Sequence, residues 1–197
     1  MTPERAAKLL NVLRQRQKNL TVVMENVHDP HNISAVMRTC DAVGIQNIYI
    51  LNTKIPRHKK WGRRSSSSAS KWLTVHQYTD VNECFDTLRK NYEHIYATHL
   101  SSNAVSLYEL NLTKSIALVF GNEHEGVSNE ILQLVDGNFI IPQVGIIQSL
   151  NISVACAVSV YEAFRQKKMA GHYNTSSLSP QQINELMIQW GGEELSV

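Results

Sequence analysis

Residues 20–51 read LTVVMENVHDPHNISAVMRTCDAVGIQNIYIL, one complete strand, turn, helix and strand. The apolar run 21–25 suits a strand. Beyond Asp29-Pro30, the apolar residues Ile33, Val36, Met37, Cys40 and Val43 keep the i, i+3, i+4, i+7 spacing of one helix face. Asn32 stands just ahead of that helix and Gly44 stops it. Residues 47–51 then open a second buried-looking strand. Towards the N-terminus, 3–18 reads as a helix with Ala6, Leu9, Leu10 and Leu13 on one face. In the other direction come a strand at 73–78 and a helix at 80–91 that carries Val81, Cys84, Phe85 and Leu88. Strands at 94–98 and 115–120 flank a short irregular stretch. A helix near 128–135, a strand at 138–141 and a long helix at 150–169 follow. Strands alternating with helices predict the α/β class, a mostly parallel sheet with helices on both faces. After Gly171 the chain turns polar, and Ser179-Pro180 opens a last short helix expected to dock loosely. The expected division is a basic N-terminal helix at 1–20, the α/β domain at 21–171 and a tail at 172–197.

Composition supports that reading. The 197 residues suffice for one domain with extensions. With 43% apolar and 18% charged residues, the chain is neither disordered nor of low complexity. Cys40, Cys84 and Cys156 are an odd number without a C-x-x-C pair, which points to a reducing compartment rather than a disulfide framework. No signal-type start and no run of spanning length is present. A cytoplasmic protein with no membrane partner is expected.

The net charge of +2 conceals clustering. Arg5, Lys8, Arg14, Arg16 and Lys18 lie in the first twenty residues. Lys54, Arg57, Lys59, Lys60, Arg63, Arg64 and Lys71 fill a loop around Trp61 and Ser65 to Ser68. Arg165, Lys167 and Lys168 end the long helix. These are 15 of the 19 Lys and Arg. Basic runs often serve only solubility, but three clusters on a near-neutral remainder read as a nucleic-acid footprint, because each neutralised phosphate releases counterions.

Several chemistries drop out. No G-x-G-x-x-G follows the first strand, no G-x-x-x-x-G-K-[ST] occurs, and no G-x-S-x-G elbow is present. His28 and His31 have H-x-x-H spacing, but Asp29-Pro30 breaks any helix between them and no second ligand pair follows, so no metal is expected. Three segments remain. Arg38 lies six residues beyond Asn32 and off the centre of the apolar helix face, where it can project towards a cleft. Gly121-Asn122-Glu123-His124-Glu125-Gly126-Val127-Ser128 follows an apolar strand, at the edge where α/β sheets bind ligands. Ser128 there suits a helix cap, whereas Glu123 has no obvious structural task. In Ile141 to Ala155 an N-cap accounts for Ser149. It leaves unexplained Asn151, one turn into an apolar helix.

Together, N-x5-R at Asn32 to Arg38, Gly121-Asn122-Glu123, and I-P-x-x-G-x-x-x-S-L-N-x-S-V-A at Ile141 to Ala155 resemble the three motifs of the SpoU/TrmH family of RNA ribose 2′-O-methyltransferases, part of the SPOUT superfamily. The match runs from the basic helix to about Tyr173. Leu20 to Gly44 is similar to the tRNA branch, whose members methylate the D-loop guanosine at position 18. The resemblance implies a trefoil-knotted C-terminal half, a homodimer packed through the knot, tRNA as partner and S-adenosylmethionine as methyl donor, with no metal. It places the donor among three loops at Thr98 to Leu100, Gly121 to Glu123 and Ile141 to Leu150, with Thr98, Leu100, Gly121, Ile141 and Leu150 in contact. It assigns Arg38 to activating the 2′-hydroxyl, and Asn32, Glu123, Ser149 and Asn151 to positioning. Because arginine stays charged at ordinary pH, two roles remain for Arg38. It either accepts the proton with help from an RNA phosphate and burial, or stays charged and stabilises the developing alkoxide. The second is energetically preferable. The same motifs also suit a ribosomal-RNA methyltransferase, and the scaffold alone would suit a non-catalytic RNA-binding protein. The loop at 54–71 is more basic than the family pattern, which bears on substrate choice.

Overall fold

The computed structural model describes residues 1–57 and 69–192. Arg63 and Arg64, with most of the basic loop, lie outside the described residues. The elements are α1 (Pro3–Arg14), β1 (Leu20–Glu25), α2 (Pro30–Ala42), β2 (Asn47–Leu51), β3 (Thr74–Tyr78), α3 (Val81–Asn91), β4 (His94–Thr98), β5 (Val105–Ser106), β6 (Ile116–Phe120), α4 (Asn129–Leu132), β7 (Gly137–Ile140), α5 (Ile152–Met169) and α6 (Pro180–Gln189). The seven strands form one sheet in the order β3-β2-β1-β6-β4-β7-β5, every neighbouring pair parallel.

β1 and β6 are buried along their whole length because both their faces are covered, and their side chains divide with the period of two. Leu20, Val22, Met24, Ile116, Leu118 and Phe120 face a core shared with α2 and α5. Val23, Ala117 and Val119 face one shared with α3 and Ile131 of α4. A third cluster joins Leu9 and Leu13 of α1 to Ile183, Met187 and Trp190 at the other end of the chain. The last helix is therefore not loosely docked: Ser179 and Gln182 form a capping box at its start, and Met187 is fully buried.

Several boundaries differ from expectation for local reasons. Asp29 caps α2 by accepting from the His31 amide, with Pro30 as the first helical residue. Asn32 thus sits inside the first turn rather than ahead of it. Asn151, not Ser149, caps α5 through the Ser153 amide, so its poor helix propensity is no anomaly. α1 ends at Arg14 instead of continuing to 18, because the next turn of chain is drawn into the protein. α4 is a single turn. β5, two residues pairing with the edge of β7, was not foreseen.

Arg16 and Lys167 correct the expected footprint, since both are fully buried. Arg16 bonds the Asp41 carboxylate at 2.6 Å, donates to the carbonyls of Ile45 and Trp72 at 3.1 Å, and lies over the Trp190 ring. It binds α1, α2, α6 and the end of the basic loop together. We expect Arg16→Ala to lower stability by about 3 kcal/mol, the lower part of the range for breaking a buried pair because Asp41 retains some solvent. Arg14→Gln and Lys18→Gln, at exposed positions, should change it by no more than about 0.5 kcal/mol. Thermal unfolding of the three variants checks this contrast.

The Lys167 ammonium group donates to the carbonyls of Thr113 and Lys114 at 3.1 and 2.9 Å. Burial pushes its pKa down to about 8. Between that value and the ordinary lysine range, the unfolded chain binds the extra proton and the folded chain does not, so stability rises with pH there. Wild-type protein should gain stability relative to Lys167→Met from pH 8 to pH 10. A constant difference in melting temperature would contradict the assignment.

Candidate active site

At the C-terminal ends of the central strands, three loops enclose a cavity of about 800 Å³. They follow β4, β6 and β7, and among their lining residues are Thr98, Leu100, Gly121, Glu123, Ile141, Ser149, Leu150 and Asn151. All five residues expected to contact the methyl donor therefore meet in one place. The volume lies in the range of small-molecule sites.

The loop after β6 is wound tightly. Gly126 donates back to the Asn122 carbonyl at 3.2 Å, while the Asn122 side chain accepts the amides of His124 and Glu125 at 2.8 and 2.7 Å. A β-carbon on Gly121 would lie 1.9 Å from the Gly126 carbonyl carbon, so glycine is required there for close approach, not for an unusual φ. Ser128 closes the loop by capping α4. Beneath it, the buried Glu25 carboxylate accepts the Ser128 amide at 2.9 Å.

Glu123 acquires the task that its sequence position lacked. The Asn32 side-chain amide donates to its carboxylate at 2.7 Å, and the Asn151 side chain donates to the Asn32 side-chain oxygen Oδ1 at 3.2 Å. One polar chain thus joins the three segments, from the first turn of α2, the loop after β6 and the cap of α5. Ser149 lines the same cavity. Arg38 is exposed on α2, about 9 Å along the helix from Asn32, and lies outside the cavity lining. His28 approaches His124 edge-on, with ring centroids 6.2 Å apart.

Two positioning residues escaped sequence reading. Asn26 is buried with φ +48°, and its side-chain oxygen Oδ1 accepts the amides of Thr53 and Lys54, each at 2.9 Å. It fixes the entry to the basic loop. Lys54 then reaches Glu125 at 2.8 Å, tying that loop to the rim of the cavity. The pairing lowers the Glu125 pKa and raises that of Lys54. The only trace of Asn26 in the sequence is its place just past a strand, as a residue type that tolerates positive φ.

Residues 19–161 match the SpoU rRNA Methylase family. The chain belongs to this family. A relative from Thermus thermophilus, tRNA (guanosine(18)-2′-O)-methyltransferase, is 40% identical over 191 residues, 96% of each chain. The Escherichia coli K12 protein of the same name is 38% identical over 98% of this chain and 83% of its own length. The crystal structure of the A. aeolicus TrmH/SpoU tRNA modifying enzyme superposes with a TM-score of 0.88 at 37% identity, covering 95% and 94% of the two chains. Solved SpoU structures imply a trefoil knot in the C-terminal half of the fold. In this SpoU methylase, α5 is secured to the segment ahead of β6 by Gln166, which accepts the Leu112 amide at 2.8 Å and donates to the Leu110 carbonyl at 3.1 Å.

Proposed function

We propose that this SpoU methylase is a tRNA (guanosine(18)-2′-O)-methyltransferase that uses S-adenosylmethionine. The observation that carries the reading is the hydrogen-bonded chain Glu123–Asn32–Asn151 at the mouth of the three-loop cavity. Relatives sharing nearly the full length support the tRNA substrate.

The cavity fits the methyl donor. Leu100, Ile141 and Leu150 offer apolar walls to an adenine ring, and Leu100 is 74% exposed. Next to it, the Ser101 hydroxyl is buried without a hydrogen-bond partner. Gly121 brings the backbone to the cavity with no side chain between. Thr98, Leu100, Gly121, Ile141 and Leu150 would hold the donor. When bound, S-adenosylmethionine supplies an electrophilic methyl group on a sulfonium sulfur. Glu123 fixes the Asn32 amide by accepting from it, and Asn151 holds its other end, so that Asn32 and Ser149 orient the ribose. Arg38, exposed on α2, stabilises oxygen charge as the 2′-hydroxyl loses its proton. Holding hydroxyl and donor in register supplies much of the rate.

Arg5, Lys8, Arg14, Lys18, Arg165 and Lys168 are exposed and are assigned to tRNA phosphates together with Arg63 and Arg64. Arg165 also pairs with Glu162 at 2.7 Å. A homodimer is part of the proposal. Val154 and Tyr161, two turns apart on α5, are exposed, and in the loop ahead of that helix Ile146 and Ile147 are 99% and 75% exposed. Exposed apolar side chains of this size suit a protein interface. Sedimentation of Val154→Glu/Tyr161→Glu should show a monomer with lost methyl transfer; an unchanged dimer would refute this interface. A cytoplasmic location follows from the tRNA substrate. Among the described residues, no helix is long and apolar enough to cross a membrane.

The direct test uses tRNA transcripts carrying guanosine or 2′-deoxyguanosine at position 18. Transfer to the first and none to the second is expected; equal transfer would overturn the reading.

A further inference from the structure

His28 and His124 stand at the rim of the active site with no part in the chemistry proposed above. His28 lies in the turn between β1 and α2, and His124 directly follows Glu123. The bond between Asn32 and Glu123 therefore joins the two segments that carry these rings. The imidazoles approach edge-on, with ring centroids 6.2 Å apart, and both residues are exposed. Among the described residues, neither ring makes a hydrogen bond. Their backbones are nonetheless fixed. Asp29 caps α2 by accepting the His31 amide at 2.8 Å, and the Asn122 side chain accepts the His124 amide at 2.8 Å. Glu125, 66% exposed, gives its carboxylate oxygen Oε2 to Lys54. No donor reaches its Oε1 among the described residues.

Each part has an ordinary explanation by itself. Exposed imidazoles are commonly solvated, and a surface pair such as Lys54–Glu125 contributes little to stability. No three His, Cys, Asp or Glu side chains among the described residues are placed to hold a metal ion, so the rings are not read as ligands. Together, however, they set two donors beside one acceptor. The Glu125 pKa is lowered chiefly by Lys54 and further by His28 and His124, which places both rings near that carboxylate. A neutral imidazole always keeps one N–H, so each ring can donate at any pH. His124 and Glu125 follow Glu123 by one and two residues, about 4–7 Å along the chain. In a nucleoside the base is attached to the carbon next to the one that bears the 2′-hydroxyl. A base whose ribose meets Asn32 thus comes to these side chains. Guanine presents the acceptors O6 and N7 beside its N1–H donor, whereas adenine has an amino donor in place of O6 and an acceptor at N1. Given the proposed methylation of a tRNA guanosine, on which this assignment rests, we infer that His28, His124 and Glu125 read the base of the target nucleoside as guanine. The imidazole N–H groups donate to O6 and N7, and Glu125 Oε1 accepts from N1–H. Such contacts need an unpaired base, the usual target of sequence-specific RNA recognition.

The test gives the full-length protein tRNA transcripts with guanosine, inosine or adenosine at position 18 and measures kcat/KM for methyl transfer. Inosine keeps O6, N7 and N1–H, so the wild-type protein should use it nearly as well as guanosine. Adenosine inverts the contacts and should be used about tenfold less well or worse, the scale of one good bidentate base contact. His28→Phe/His124→Phe keeps two aromatic rings but removes their donors, and its preference for guanosine over adenosine should collapse towards unity. His124→Gln retains a donor and should keep more of the preference than His124→Phe. Glu125→Gln can turn its amide to donate to adenine N1, and should lower the preference as well. Every protein meets the same transcripts, so effects of the base on RNA folding cancel in the comparison. An unchanged preference in the double histidine variant or in Glu125→Gln, with guanosine transfer intact, overturns the role of the residues altered and leaves the proposed activity standing. Equal use of guanosine and adenosine by the wild-type protein overturns the whole assignment. Absence of transfer to position 18 of every transcript overturns the proposed activity and this assignment together.

Discussion

Arg38→Ala should lower methyl transfer at saturating tRNA by about 10²–10³-fold, the cost of removing an electrostatic stabiliser aimed at developing charge. Affinity for S-adenosylmethionine should stay at the wild-type level, because Arg38 lies outside the cavity lining. The fold should also hold, since an exposed helical arginine replaced by a good helix former rarely costs stability. Arg38→Lys should not restore the rate. A point ammonium lacks the planar fork that can face a ribose oxygen and a phosphate together. Single-turnover kinetics with equilibrium binding of the donor separate the two effects. A variant that keeps half the wild-type turnover would remove Arg38 from the chemistry.

Gly121→Ala should be nearly as damaging by a different route. The added methyl would lie 1.9 Å from the Gly126 carbonyl carbon, 2.1 Å from its oxygen and 2.2 Å from the Val127 nitrogen. These are backbone atoms, so no side chain can rotate aside. The loop must open, which carries Glu123 away from Asn32 and widens the donor cavity. Displacements near 1 Å at a reacting centre cost about 10² in rate, and here donor affinity should fall as well. The joint loss distinguishes Gly121→Ala from Arg38→Ala. Calorimetric titration of the donor is the check, and wild-type affinity would show that the loop tolerates the methyl group.

The elements that were legible in the sequence are those whose burial leaves a periodic trace. β1, α2 and β6 are apolar on the faces they cover. Residues that broke the pattern, Asn32, Glu123 and Asn151, are those the fold brings together. The sequence could not reveal that Asn32 bridges the other two, because the contacts span 91 and 119 residues. Arg16 and Lys167 were misassigned for a related reason. A charge map counts cations without their partners, and the partners of both are mostly backbone carbonyls, which every sequence supplies equally. β5 is too short for a period, and Asn26 acts through its backbone angle and buried amide. Family motifs rather than periodicity pointed to the knot, since alternating strands and helices ordinarily imply unknotted connections.

The central claim is tested most directly by locating the methyl group. Full-length tRNA incubated with the protein and S-adenosylmethionine, then digested and read by mass spectrometry, should carry 2′-O-methylguanosine at position 18. Ribosomal RNA treated in the same way should remain unmodified. A methyl group on a base, at another ribose, or on ribosomal RNA alone would contradict the account.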